Sequence, residues 1–125
     1  MNSEIAVGAV LRAVNDHTAV HPYGDGLLID LPLSYGDGDA VRILVEPMGD
    51  GFRVSDRAAA GALLSMAGVN VSQGRPAEAI AEAMRISGLN GMNAQPGELA
   101  TYGSAEMLGH LVLAVAQASM RVDQL

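Results

Sequence analysis

The sequence predicts an α+β domain. An antiparallel β-meander of three to four strands, over about residues 18–55, is packed by one N-terminal helix and three C-terminal helices. Three observations predict it. The tripeptide Gly-Asp-Gly recurs at 24–26, 36–38 and 49–51, spaced 12 and 13 residues apart, which suits hairpins between neighbouring strands. The stretches between the tripeptides alternate apolar and polar residues, the period of a strand. The flanking stretches carry apolar residues at helical spacing instead. Strands grouped together and helices grouped together favour helices on one face of an antiparallel sheet.

The first helix is expected over residues 3–15. Val7, Val10, Leu11 and Val14 fall at i, i+3, i+4 and i+7 and make one apolar stripe. Ser3 reads as its N-cap, with Glu4 favoured in the first turn by the helix dipole. Thr18 to Tyr23 reads as a first strand, and Pro22, which lacks an N–H, assigns it to an edge. In Gly26–Leu33, residues Leu27, Ile29, Leu31 and Leu33 share a face, with Asp30 and Pro32 opposite. Asp39–Glu46 is the clearest strand: Val41, Ile43 and Val45 alternate with Arg42, Leu44 and Glu46. Phe52 and Val54 flank Arg53 in a short last strand. Between the strands, Gly accepts positive φ, and Asp tolerates it and bonds its own backbone.

Ser55 or Asp56 is expected to cap a second helix over Arg57–Ala67, whose stripe is Ala60, Leu63, Leu64 and Ala67, with Gly68 just past its end. The third helix runs from about Arg75 to Ser87. Pro76 sits in its first turn and Gly88 follows it. Ala77, Ile80, Ala81 and Met84 are expected to face the core, and Glu78 and Glu82 solvent. Residues 88–98 hold three Gly, two Asn and a Pro and read as irregular; Leu99–Tyr102 reads as a brief strand. The last helix spans Ser104 to about Val122. Leu108, Leu111, Val112, Val115 and Val122 form its stripe. Leu113, Ala116 and Met120 make a second apolar face, expected either in the core or against a second subunit as a homodimer contact.

A chain of 125 residues fits one domain, 1–125, and buries a core without a staple. Only 3% of its residues are aromatic, so that core is aliphatic. There is no Cys, which excludes disulfides and thiolate chemistry. No apolar run reaches the roughly 18 residues that span a bilayer, and the N-terminus lacks the charge of a secretory signal. A cytoplasmic protein with no membrane association is expected. The net charge is −7, and all seven basic residues are Arg, a composition typical of GC-rich genomes. Such a balance argues against direct binding of nucleic acid, which needs clustered cations.

Several of these motifs together carry a resemblance. Leu31-Pro32-Leu33, Gly38-Asp39 before the alternating Val41, Ile43 and Val45, Gly51-Phe52-Arg53-Val54-Ser55-Asp56, Leu63-Leu64 and Gly68 resemble a bacterial and phage domain family of unknown function. The resemblance extends over roughly residues 20–125, through a later helix, a Gly/Glu-containing strand and a closing helix that ends near Val122-Asp123-Gln124-Leu125. Here Leu31 stands where that family has Thr, and Arg57-Ala58 where it has Asp-Gly. The resemblance implies an origin in a phage or other mobile element and brings no catalytic residues with it.

The residues themselves offer few chemical constellations. Between 16 and 56 lie Asp16, Asp25, Asp30, Asp37, Asp39, Glu46, Asp50 and Asp56 against two Arg. They lack the ligand series of a calcium loop, so solvated turn carboxylates are the expectation, with no metal and no cofactor. His17 and His21 are four apart, but a helix end falls between them; His110 lies mid-helix. Ser55-Asp56 has no nucleophile elbow around it, and capping explains both residues. No Walker or dinucleotide fingerprint occurs.

The function expected is therefore a small acidic, non-enzymatic protein-interaction module that binds a host protein or defence complex. Its partner surface is placed on Asp25, Asp30, Asp37, Asp39, Arg42, Glu46, Asp50 and Arg53. Two alternatives stand beside it. One is a ligand- or metal-binding domain, or an enzyme, using the meander carboxylates. The other is a DNA mimic that occupies a nucleic-acid-binding protein.

Overall fold

The structure is a computed structural model that describes residues 2–125. Its elements follow in the order α1 (Ser3–Asp16), β1 (Ala19–Tyr23), β2 (Gly26–Ser34), β3 (Ala40–Met48), β4 (Gly51–Ser55), α2 (Ala59–Met66), α3 (Gly74–Ile86), β5 (Ala100–Gly103) and α4 (Leu108–Asp123), with a 3₁₀ turn at Ala105–Met107 leading into α4. The fold is α+β. The sheet has five strands in the order β1-β2-β3-β4-β5, every pair antiparallel. The expected brief strand near residue 100 supplies the fifth, which joins the meander beside β4.

Two of the three Gly-Asp-Gly tripeptides make the same turn. Tyr23 faces Gly26 and Met48 faces Gly51, so Gly24-Asp25 and Gly49-Asp50 are two-residue hairpin loops. Gly24 (φ +57°) and Gly49 (φ +56°) take the left-handed position and the Asp does not, the sign pattern of a type II′ turn. The third tripeptide sits in a wider loop closed by Tyr35 N–H to Asp39 O at 2.9 Å, and there it is Gly38 that takes positive φ.

Strand register sorts the side chains into two faces. Leu27, Ile29, Leu31, Val41, Ile43, Val45, Phe52, Val54 and Thr101 share the inner one. Helix α4 lies across β3, β4 and β5 on that face, and α2 and α3 pack against α4. Val112, Val115, Ala116, Ala118 and Val122 of α4 meet Val41, Ile43, Val45 and Val54 in an aliphatic core. On the outer face, residues 90–98 fold back over β4 and β5: Gly91 N–H donates to Ala100 O, and Arg53 donates to Met92 O and Asn93 O. That segment closes the β5 edge.

Neither cover reaches the other edge. All five residues of β1 are exposed, and on the inner face Val20 and Leu27 remain 54% and 44% exposed. The β1–β2 hairpin is thus a flange, bare on its inner face at its outer strand. Helix α1 hangs from it. Asn2, one residue before the expected Ser3, is its cap, with Asn2 Oδ1 accepting from Glu4 N–H at 2.8 Å. The expected apolar stripe forms, yet no residue of α1 is buried.

Other boundaries shift for local reasons. Helix α2 begins at Ala59 and not at Arg57, because Arg57 and Ala58 are both left-handed. In α3 the buried residues are Ile80 and Ala83, while Ala81 is exposed. Its stripe therefore runs along 80, 83 and 84, and Glu82 on the open side pairs with Arg85. In α4, Ala116 is fully buried and Met120 packs half-buried against the core, which leaves Leu113 exposed.

Candidate functional site

The step from β4 into α2 is where the molecule concentrates its polar chemistry. Ser55 and Asp56 are both 1% exposed. Asp56 Oδ1 accepts from Ala58 N–H at 2.9 Å and from Leu99 N–H at 3.0 Å; its Oδ2 accepts from the Ser119 hydroxyl at 2.7 Å. The Ser119 proton is thereby committed, so Tyr35 must donate its own to Ser119 Oγ, 2.7 Å away. One carboxylate ties the start of α2, the strand entry at Leu99, the last helix and the 35–39 loop together.

Desolvation raises the Asp56 carboxyl above its ordinary value, against the lowering pull of its hydrogen bonds to Leu99, Ser119, Ala58 and Ala60. Burial likewise pushes the Tyr35 phenol up to about 12, although its bond to Ser119 works the other way.

Ser55 turns to the outer face. Its Oγ accepts from Arg57 N–H at 2.9 Å and donates to Glu98 Oε2 at 2.5 Å. Glu98 Oε1 meets Arg53 at 2.9 Å and accepts from Gln95 N–H at 2.9 Å. Burial alone would raise Glu98; Arg53, Ser55 and Gln95 outweigh it and hold the carboxyl below its usual range. Neither residue is the expected cap of α2, whose cap position is Ala58, without a side-chain cap bond. They fasten the turn that precedes the helix, and each has a second, long-range partner.

Between these networks the backbone does something costly. Arg57 and Ala58 both have φ of +58°, a conformation that costs a side-chain-bearing residue about 1–2 kcal/mol. The result is to throw Arg57 back over the sheet. Its guanidinium carbon lies 4.6 Å from the centre of the Tyr23 ring, and Nη2 donates to the Tyr23 hydroxyl at 2.9 Å. Tyr23 is on β1, so the pair reaches across β2 and β3, about 14 Å of sheet. Leu44, on the outer face of β3, is only 7% exposed. Among the described residues no carboxylate bridges Arg57.

Arg57 shares its surroundings with Arg42 of β3. Both arginines line an open cleft of about 440 Å³, together with Tyr35, Asp39, Asp56 and Leu63. Arg42 itself is engaged by Asp30 at 3.0 Å, and His21 approaches the same carboxylate at 3.2 Å.

The residues expected to form a partner surface are thus divided. Asp25 and Asp50 stand at one end of the sheet, on the first and last hairpins. Asp37 and Asp39 stand at the other, where Asp37 accepts from Asp39 N–H. Asp30 and Arg42 lie together on the open part of the outer face. Arg53 faces Glu46 across the strands but is mostly covered by residues 92–98. Among the described residues no group of three or more His, Cys, Asp or Glu is arranged to hold a metal ion.

Sequence reading missed Asp56, Ser119, Tyr35 and Glu98 as a set, because the partners lie 43 to 84 residues apart. One signal was there: Ser119 falls at i+3 and i+7 from Ala116 and Val112, on the buried face of α4, where a hydroxyl needs a buried partner. The chain was compared with family models, curated proteins and solved structures, and it matches none of them.

Proposed function

We propose that this protein is a small acidic, non-enzymatic interaction module that binds and modulates another protein through the outer face of its sheet. The observation that carries this reading is the pair of left-handed residues that holds Arg57 over Tyr23. Backbone strain that buried Ser55 and Asp56 hold beneath an exposed side chain points to a use for the side chain it presents. Arg and Tyr are also the residue types on which interface energy concentrates. Here they form a stacked platform beside the cleft, with Asp30, His21 and Arg42 next to it and a guanidinium that no carboxylate of the described residues neutralises. The resemblance of residues 31–68 to a bacterial and phage domain family supports a host protein as the partner.

The test is affinity purification of the tagged chain from a bacterial lysate, in parallel with Arg57→Ala and Tyr23→Ala. The reading expects one protein to co-purify with the wild type and to be lost from both variants, while their melting temperatures hold. Equal recovery by all three chains would remove the platform from the interface. A rise of several degrees in melting temperature with a divalent cation, and no captured protein, would replace the reading with a ligand-binding one.

A further inference from the structure

We infer that the chain forms a two-fold dimer in which α1 of each copy lies on the bare inner face of the partner's β1–β2 flange. The inference uses surfaces separate from the Arg57–Tyr23 platform. Along α1, Val7, Val10, Leu11 and Val14 form one stripe and are 57%, 61%, 63% and 44% exposed. On the inner face of the flange, Val20 and Leu27 point to the side that carries the core elsewhere, with exposed Leu33 further along β2, yet α4 stops short of them. The same chain therefore holds an uncovered apolar helix and an uncovered apolar strip of sheet.

Why does α1 not cover its own strip? Only His17 and Thr18 separate the helix from β1, the short end of helix-to-strand connections. Both are engaged. His17 N–H donates to Ala13 O, and Thr18 bonds back to Asn15 O through its N–H and to Val14 O through its hydroxyl, at 2.5 Å. The joint fixes the helix pointing away from the sheet. A second copy is free of that joint.

The area suits a dimer. The stripe and the strip together expose on the order of 600 Å² of apolar side chain per copy, and a standard interface buries about 800 Å² per partner, roughly three-fifths of it apolar. Two other arrangements fit less well. Strand-to-strand pairing of two β1 edges is blunted, because Pro22 and Val20 alternate outward and Pro22 has no N–H. An anionic lipid surface wants cations on the polar side of the helix, and α1 carries Glu4 and Asp16 against the single Arg12.

Sedimentation velocity on the full chain tests this, at concentrations from 1 to 100 µM chosen to bracket micromolar dissociation. The wild type is expected at twice the mass of the 12.9 kDa chain. Leu11→Asp and Leu27→Arg should each weaken association by roughly a hundredfold or more, since the symmetry repeats every substitution. Neither side chain is in the core, so circular dichroism should show both variants folded. Mixing the two variants should restore a part of the dimer, because one α1–strip contact is intact in the heterodimer. A wild type that stays monomeric throughout overturns the inference. So does a dimer that one variant disrupts and the other does not, which would mean helix-to-helix or strand-to-strand contact. Capture of the wild type by phosphatidylserine vesicles, abolished by Leu11→Asp and without self-association, would assign the helix to a membrane surface instead.

Discussion

At the scale of single residues, the polar groups of the core decide how stability responds to solution conditions. Asp56 is fully satisfied as an acceptor, so its removal orphans two N–H groups and a hydroxyl. Asp56→Ala should cost about 3 kcal/mol or more in urea unfolding. Asp56→Asn keeps an oxygen for the two N–H groups and isolates the charge. Because burial raises the folded-state value above the unfolded one, about 3.9, the native state binds the extra proton and its contribution fades as pH climbs through the folded value. The Asn variant should therefore gain on the wild type as pH rises above the unfolded value; parallel stability curves would contradict the raised carboxyl. Glu98 has the opposite sign. Its depressed value stabilises the fold above the unfolded value, about 4.3, and that contribution is lost on acidification. Ala58→Gly relieves one left-handed residue at a position whose methyl group carries none of the described hydrogen bonds. It should add about 1 kcal/mol, read as a few degrees in melting temperature, and leave Arg57 over Tyr23. A lower melting temperature would mean that the turn is not strained.

At the scale of elements, glycine contacts set how closely the layers approach. A Cβ on Gly61 in α2 would lie 2.6 Å from Gly97 O, backbone against backbone. The helix and the 88–98 segment can touch there only because Gly61 has no side chain. Gly61→Ala must push that segment off the helix, and with it Glu98 and the entry to β5. A loss of about 2 kcal/mol is expected by urea unfolding, although Ala is the better helix former by roughly 1 kcal/mol. If Gly61→Ala proves stabilising, the two elements are not in contact. Propensity and packing thus disagree at this position, and packing wins. The same conflict explains why the sequence predicts too early a start for α2: Arg-Ala-Ala-Ala is a strong helical sequence, and bonds from Ser55 and Asp56 hold its first residues out of the helix.

At the scale of the whole molecule, the local rules were legible and the long-range ones were not. Alternation in 39–46 and the Gly-Asp loops gave the meander, and the spacing of Val112, Val115 and Val122 gave the buried side of α4. The stripe of α1 was equally plain, but periodicity records that a face is apolar and not what lies against it. For the candidate site, Ser55-Asp56 stood out as a cap, whereas the left-handed turn of Arg57-Ala58 is written in no residue type that favours it. Nor could the reach of Arg57 to Tyr23 be read from a chain in which they stand 34 residues apart. The bonds that join Asp56 to Leu99 and Ser119, and Tyr35 to Ser119, also carry a consequence for synthesis. As the chain leaves the ribosome, the first four strands emerge with their inner face open and Asp56 without two of its partners. At ordinary elongation rates several seconds pass before residue 119 follows. The nascent meander must wait for its own C-terminal helix, and in that interval it is exposed to chaperones and proteases as the finished protein is not.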